Sequence, residues 1–123
     1  MYRVSKKMEI SAMHQLELDY ESKCKNAHGH NWFVTVEIEG SRLNRNGMLI
    51  DFTIIKELIH SKMDHKNLNE VFKFNPTAEN IASWVAEQID AYLLNVGVIF
   101  AHCSKVRVEE TQGNYAEWER DNN

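Results

Sequence analysis

The chain has 123 residues, of which 43% are hydrophobic and 26% charged, a composition typical of one globular domain spanning 1–123. Its net charge of −4 at pH 7 argues against a nucleic-acid-binding surface, since such surfaces are usually basic. No apolar run approaches the ~18 residues of a transmembrane helix, and the first residues lack the apolar core of a signal peptide. Two cysteines do not make a disulfide framework. We therefore expect a cytoplasmic protein with free thiols and no membrane or nucleic-acid partner.

Two stretches near the N-terminus alternate between apolar and polar residues, which predicts half-buried β-strands. The apolar face of the first strand, 2–14, carries Val4, Met8, Ile10, Ala12 and His14. The apolar face of the second strand, 30–39, carries His30, Trp32, Val34, Val36 and Ile38. The stretch between them, 15–27, has no clear period and is predicted to be a loop. Each apolar face thus includes a histidine at or near a strand end.

The second half of the chain predicts two helices followed by two strands. An amphipathic helix over 52–63 follows Asp51, a suitable N-cap, and a polar segment covers 64–69. A second helix starts after Thr77 and ends near 95–97. Alternation then predicts strands over 104–111 and 115–120, joined by a tight turn. The order strand, strand, helix, helix, strand, strand predicts an α+β fold with two helices on one face of a four-stranded antiparallel sheet.

The sequence His28-Gly29-His30 is the clearest candidate for a metal site. Residues i and i+2 of a strand point to one face, so two imidazoles can converge on one ion. A catalytic zinc usually takes three protein ligands, and strand parity makes His14 the candidate third. The alternative is that His14 is an ordinary strand-end histidine and His-Gly-His a turn. Cys24 remains open between a base or nucleophile of lowered pKa, a fourth zinc ligand and an inert thiol.

Three further places carry residues suited to acid–base chemistry or ligand binding. Asp64 and His65 suit a carboxylate that orients an imidazole, or simply a helix C-terminus that a histidine complements. Glu110 continues the apolar register of Val106 and Val108, and with Thr111 could bind paired N–H donors; the alternative is a salt-bridged strand end. Glu79 is either a ligand contact or an ordinary acidic residue in the first turn of a helix.

Six short motifs run in one order over nearly the whole chain and together resemble the 6-pyruvoyl-tetrahydropterin synthase superfamily. They are Ser11-Ala12-Met13-His14, Cys24 with His28-Gly29-His30, Ile50-Asp51-Phe52, Asp64-His65 with Leu68-Asn69, Asn75-Pro76-Thr77 with Glu79, and Val108 with Glu110-Thr111. The three-residue gap between the thiol and His-Gly-His resembles the bacterial branch, the 6-carboxy-5,6,7,8-tetrahydropterin synthases of queuosine biosynthesis. Met13 and Met63 depart from the small residue and the leucine that are usual in the family, which suggests adjusted packing.

The resemblance implies a role for each candidate residue. It implies one Zn²⁺ per subunit on His14, His28 and His30, a catalytic thiol at Cys24 with Asp64 and His65 as its acid–base pair, and pterin binding by Glu110 with Thr111 and Glu79. The implied lyase converts 7,8-dihydroneopterin triphosphate to 6-carboxytetrahydropterin, acetaldehyde and triphosphate. The alternatives are 6-pyruvoyl-tetrahydropterin synthase, which eliminates triphosphate without cleaving the side chain, a non-catalytic pterin- or zinc-binding protein, and a structural zinc domain.

The resemblance also implies an assembly. In this fold family, called the tunnelling or T-fold, two helices pack against a four-stranded antiparallel sheet and three subunits close a barrel. Two trimers stack into a homohexamer, and the active sites lie between subunits. The polar residues Asn31, Thr35, Glu37 and Glu39 of the second predicted strand would then line a central pore.

Overall fold

The computed structural model describes residues 1–121, and of Cys24 it describes the backbone but not the side chain. The last two residues of the predicted domain, 122 and 123, lie outside the described residues. A five-stranded sheet with helices on one face confirms the predicted α+β class. The strands are β1 (Tyr2–His14), β2 (His28–Gly40), β3 (Lys66–Asn67), β4 (Ala101–Thr111) and β5 (Asn114–Glu119).

The sheet has the strand order β3-β1-β2-β4-β5, and its central pairs, β1 with β2 and β2 with β4, are antiparallel. Strand β2 begins two residues earlier than predicted, so that His28 pairs with His14 and His30 with Ala12. A short 3-10 turn, Lys23–Lys25, interrupts the predicted loop between β1 and β2. Strand β4 begins three residues earlier than predicted and therefore includes Cys103, which is buried in the core.

The prediction of a four-stranded antiparallel sheet is wrong by one strand. Strand β3 is parallel to β1, with Lys66 opposite Ala12 and Asn67 opposite Met13. His65 precedes it with a positive φ of 58°, which turns the chain so that its backbone N–H donates to the Ser11 carbonyl at 2.6 Å. A strand of two residues is too short to show alternation, so β3 could not be predicted from the polar segment 64–69.

The helices are α1 (Phe52–Ile55), α2 (Ser61–Met63), α3 (Leu68–Val71) and α4 (Ala78–Asn95). A π-helical turn, Lys56–His60, joins α1 to α2, so the predicted helix over 52–63 is present. The predicted cap is confirmed, because Asp51 Oδ1 accepts from Thr53 N at 2.9 Å. Thr77 caps α4 in the same way, with Oγ1 accepting from Asn80 N at 3.1 Å. The single-turn helix α3 was not predicted; it begins in the polar segment 64–69 and extends beyond it.

The core lies between one face of the sheet and the helices. Its buried apolar residues come from the predicted strand faces and from α1, α2 and α4; they include Ile10, Trp32, Val34, Val36, Ile38, Ile55, Ile59, Met63, Ile81, Val85, Ile89, Val106 and Val108. Phe52, which shares the helical spacing of this stripe, is instead 47% exposed. The other sheet face is polar and is not covered by any described element. Within residues 1–121, no helix is long and apolar enough to cross a membrane.

Candidate metal centre and active site

Three histidines converge where β1 ends and β2 begins. His14 is the last residue of β1, and antiparallel pairing sets it opposite His28, two residues before His30 on the same face. The Nε2 atoms of His14 and His28 lie 3.1 Å apart. The ring centroids of His28 and His30 are 4.5 Å apart, and those of His14 and His30 are 5.2 Å apart. The trio singled out by strand parity therefore forms one cluster.

Backbone carbonyls orient two of the three rings. His14 Nδ1 lies 2.8 Å from the Pro76 carbonyl, and His28 Nδ1 lies 2.6 Å from the Asn26 carbonyl. A carbonyl only accepts hydrogen bonds, so each Nδ1 carries a proton, and a ring protonated only there presents its Nε2 lone pair to the cluster. The two Nε2 atoms, 3.1 Å apart, can share a proton or hold a cation between their lone pairs.

His30 supplies a third ring nitrogen to the cluster. Its Nε2 is buried and has no hydrogen-bond partner among the described residues. Burial lowers the pKa of His30 below its ordinary value, and the neighbouring His28 and His14 lower the pKa further, whereas the Glu110 carboxylate raises it. A neutral buried imidazole with a free lone pair is the form that binds a metal.

Glu110, on β4, brings a carboxylate to the three imidazoles. Its Oε1 lies 3.0 Å from His30 Nε2, 3.5 Å from His14 Nε2 and 3.9 Å from His28 Nε2. The four ligand atoms all lie within 4.8 Å of one another. Ligands bound at the usual zinc distances of about 2.0–2.1 Å in a tetrahedron are separated by about 3.3–3.4 Å. The donor set and its spacing therefore fit a zinc-like ion.

Asp64 and His65 lie apart from this cluster, at the end of α2. Asp64 Oδ1 accepts from Ser11 N at 2.9 Å, and Asp64 Oδ2 lies 3.4 Å from His65 Nε2. The positive φ of His65 provides the turn that lets these adjacent side chains meet. The His65 side chain is 82% exposed. His65 and His30 both line an open cleft of about 420 Å³, which brings the pair to the neighbourhood of the metal candidates.

Thr111 and Glu79 are not members of the four-residue cluster. Thr111 is the last residue of β4, and its hydroxyl accepts from Asn114 Nδ2 at 2.8 Å. Glu79 is exposed in the first turn of α4. Cys24 belongs to the 3-10 turn two residues before the carbonyl of Asn26, and the prediction for its thiol falls outside the described atoms.

Sequence reasoning missed four contacts at this site. His60 Nε2 lies 3.7 Å from Asp64 Oδ2, a contact that the i,i+4 spacing along a helix could have suggested. The carbonyls of Asn26 and Pro76 orient the rings of His28 and His14. Every residue has a backbone carbonyl, so the sequence does not indicate which ones contact a side chain. The approach of Glu110 to the histidines was also missed, because its predicted role was to bind the pterin.

Comparison with known proteins gives one consistent family. The sequence model described as 6-pyruvoyl tetrahydropterin synthase (PTPS) matches residues 3–121. The chain is 31% identical over 121 residues to a Bacillus subtilis 6-carboxy-5,6,7,8-tetrahydropterin synthase, covering 93% of this chain and 82% of that protein. It is also 31% identical over 90 residues to a Pyrococcus furiosus dihydroneopterin monophosphate aldolase, covering 71% of this chain and 74% of that protein.

A solved structure supports the same grouping. The fold matches that of Caenorhabditis elegans 6-pyruvoyl tetrahydropterin synthase with a TM-score of 0.74 and 27% sequence identity. That match covers 98% of this chain and 96% of the other. Because both the family model and the Bacillus relative align with most of the sequence, the chain belongs to the 6-pyruvoyl tetrahydropterin synthase family.

Proposed function

We propose that the protein is a zinc-dependent 6-carboxy-5,6,7,8-tetrahydropterin synthase of queuosine biosynthesis. It would convert 7,8-dihydroneopterin triphosphate to 6-carboxytetrahydropterin, acetaldehyde and triphosphate. The observation that carries the proposal is the convergence of three imidazoles, two of which direct Nδ1 to a backbone carbonyl while the third has a buried Nε2 without a hydrogen-bond partner among the described residues. The similarity to a Bacillus protein of that name supports the carboxy product over the pyruvoyl product.

The three histidines, His14, His28 and His30, would hold the zinc ion. Zinc in this position supplies Lewis acidity toward hydroxyl oxygens. Three protein ligands suit a catalytic site better than a structural one, since a fourth position can be given to the substrate. The orientation of two imidazoles by backbone carbonyls and the buried nitrogen of the third, which has no hydrogen-bond partner among the described residues, support this assignment.

In this proposal the acid–base catalysis is carried out by Cys24, Asp64 and His65. Cys24, as thiolate, removes a proton from the substrate side chain, and His65 returns or relays one while Asp64 orients its imidazole. The 3.4 Å approach of the Asp64 and His65 side chains supports their pairing. Glu110 and Thr111 bind the aminopyrimidine edge of the pterin, and Glu79 is the weaker candidate for a substrate contact.

Enclosing such a site requires a second copy of the chain. His65 is 82% exposed, and an acid–base group works best where water is excluded. The outer edge of β1 over residues 2–10 and that of β5 are unpaired among the described residues. We therefore propose a homo-oligomer, a dimer of trimers, in which these edges pair between subunits and the active sites lie at the junctions.

The direct test is to incubate the zinc-loaded protein with 7,8-dihydroneopterin triphosphate and to measure acetaldehyde and triphosphate. The proposal expects both products, their loss on treatment with a chelator, and their return when zinc is restored. His65→Gln should lower kcat by roughly 10²–10⁴-fold, as expected when a general acid–base group is lost. His102→Gln is the matched control, because His102 lies beside Glu39 at 3.4 Å in another part of the sheet.

Each other outcome identifies a different function. Triphosphate without acetaldehyde would indicate the 6-pyruvoyl reaction. Side-chain cleavage that leaves phosphate on the released aldehyde would indicate aldolase activity, the function named for one relative. Binding of pterin and zinc without turnover would indicate a non-catalytic protein. Full turnover by Cys24→Ala would refute the role of the thiol.

A further inference from the structure

Glu110 lies where a fourth metal ligand belongs. Its Oε1 is 3.0 Å from the Nε2 of His30 and 3.5 Å from that of His14, close to the ~3.3 Å edge of a tetrahedral zinc site. The remaining distance, to His28 Nε2, is 3.9 Å. A single carboxylate oxygen is therefore close to all three imidazole nitrogens, and the ligand atoms of the four residues all lie within 4.8 Å of one another.

Hydrogen bonding does not account for this arrangement. The carbonyls of Pro76 and Asn26 accept the Nδ1 protons of His14 and His28, so in this tautomer the Nε2 atoms face Glu110 as lone pairs. His30 Nε2 is 3.0 Å from a carboxylate oxygen of Glu110 but outside hydrogen-bond geometry. A cation between the carboxylate and these nitrogen atoms would stabilise the whole group.

The backbone at Glu110 favours a side chain that can be redirected. The pairing of β4 with β5 is regular as far as Glu109 opposite Tyr115, and then shifts register before Thr111 opposite Asn114. Glu110 sits in this irregularity, and such bulges often occur beside active sites, where they re-aim a side chain. The Glu110 side chain is 25% exposed, so an incoming ligand can reach it.

We propose that Glu110 is an exchangeable fourth ligand of the metal. In the resting protein it completes the coordination of the ion; when substrate arrives, it leaves the ion and accepts hydrogen bonds from the aminopyrimidine edge of the pterin. The inference rests on the proposed function, since it takes a pterin as the incoming group. Its consequence is that a coordination position opens only when the pterin is in place, so that water and other small ligands are kept off the ion.

Cobalt(II) provides a readout that does not depend on turnover. We would load the wild-type protein, Glu110→Gln and the control Glu109→Gln with Co²⁺, and record visible absorption and metal affinity by chelator competition. Glu109 is a suitable control, because it neighbours Glu110 on β4 but faces Arg107, 4.0 Å away, and not the histidines. Glu110→Gln should change the spectrum and weaken Co²⁺ binding on the order of 10- to 100-fold, whereas Glu109→Gln should leave both nearly unchanged.

Pterin without a 6-side chain then tests the exchange, since it has the aminopyrimidine edge but lacks the side-chain hydroxyls. Its addition should shift the Co²⁺ spectrum of the wild-type protein towards that of Glu110→Gln, and should leave the Glu110→Gln spectrum unchanged. A shift that persists in Glu110→Gln would mean that the pterin itself contacts the metal, and would overturn the exchange. Glu110→Asp, which retains the charge on a shorter arm, gives a second variant should the first fail to fold.

The remaining outcomes separate this inference from the proposed function. Equal Co²⁺ affinity and equal spectra for wild type and Glu110→Gln would overturn the role of Glu110 as a ligand, even if acetaldehyde is formed. Pterin that binds, by its fluorescence, without altering the wild-type spectrum would overturn the exchange and leave the pterin site intact. The expected spectral changes in a protein that forms no acetaldehyde would support the inference and refute the carboxy reaction.

Discussion

At the scale of single residues, Gly40 is the position where a side chain has least room. A Cβ at this point would lie 2.6 Å from Leu49 Cδ2 and 2.7 Å from the Phe100 carbonyl oxygen. That carbonyl also accepts a hydrogen bond from Ser41 N at 3.0 Å, so it cannot move away without breaking another contact. Gly40 thus lets the end of β2 pack directly on the start of β4, at Ala101.

We predict that Gly40→Ala lowers the free energy of unfolding by about 1–3 kcal/mol, because overpacking forces the backbone to shift. Urea denaturation of the metal-free protein measures the change. The control is Gly29→Ala, because a Cβ at Gly29 would have no neighbour within 4 Å. An unfolding midpoint for Gly40→Ala equal to that of wild type would show that the β2–β4 contact can relax at no cost.

Cys103 is predicted to be a protected thiol. It is fully buried, and burial, together with the charge of Asp90, raises its pKa to about 12. At pH 8 only roughly one such thiol in ten thousand is a thiolate, the reactive form. Iodoacetamide should therefore modify Cys103 at least ~10³-fold more slowly in the folded protein than in denaturant, and the folded rate should rise with pH. Mass spectrometry of the Cys103 peptide measures both rates, and similar rates would contradict the burial.

At the scale of elements, one carboxylate on α4 ties the helix to two strands. Asp90 Oδ1 accepts from Cys103 N at the start of β4 at 2.8 Å, and Asp90 Oδ2 pairs with Arg120 just after β5. Arg120 Nε in turn donates to the Cys103 carbonyl at 2.8 Å. These contacts satisfy backbone groups near the first residues of β4 and fix the helix across the sheet.

We predict that Asp90→Ala destabilises the protein by about 1–3 kcal/mol, because it leaves the buried N–H of Cys103 without an acceptor. The comparison is Glu117→Ala, which removes an ion pair with Lys105 at 3.3 Å, half open to solvent, and should cost less than about 1 kcal/mol. Asp90→Asn keeps an acceptor and should lie between the two. Thermal unfolding measures the loss of unfolding free energy for each variant. Equal losses for Asp90→Ala and Glu117→Ala would show that the Asp90 contacts stabilise the protein no more than a surface ion pair does.

At the scale of the whole molecule, the sheet has two open edges and one bare face. Among the described residues, β1 over 2–10 and β5 have no strand on their outer sides. The face away from the helices carries alternating charges, including Lys7, Glu37 and Arg107, around a groove of about 360 Å³. Exposed edges readily pair with other strands, and natural monomers usually cover or shorten them.

We predict that the protein sediments as a species of six times the chain mass. Amide hydrogen exchange should show β1 and β5 protected to the same degree as the central strand β2, because their outer N–H groups would be bonded between subunits. Dilution that dissociates the oligomer should release that protection in β1 and β5 and leave β2 unchanged. A monomer at all concentrations, with fast exchange along both edges, would rule out the proposed assembly.

The sequence by itself determined the features that depend on local geometry. The period of two along a strand follows from the backbone alone, so the alternation that placed Ile10 and Val34 in the core also placed His14 and His30 on that face. The Asp51 cap was equally local, because a cap joins residues two or three apart.

Only the tertiary structure decided how distant parts meet. Glu110 reaches the histidines because β2–β4 pairing and an irregularity in β4–β5 pairing bring its carboxylate there, and neither register can be read from composition or period. Strand β3 pairs through backbone groups, and backbone carbonyls also orient His14 and His28. Because every residue has these groups, no side-chain pattern predicts which of them will be used. The three histidine ligands were thus visible in the sequence, but the four-atom arrangement that suits a metal was a product of the fold.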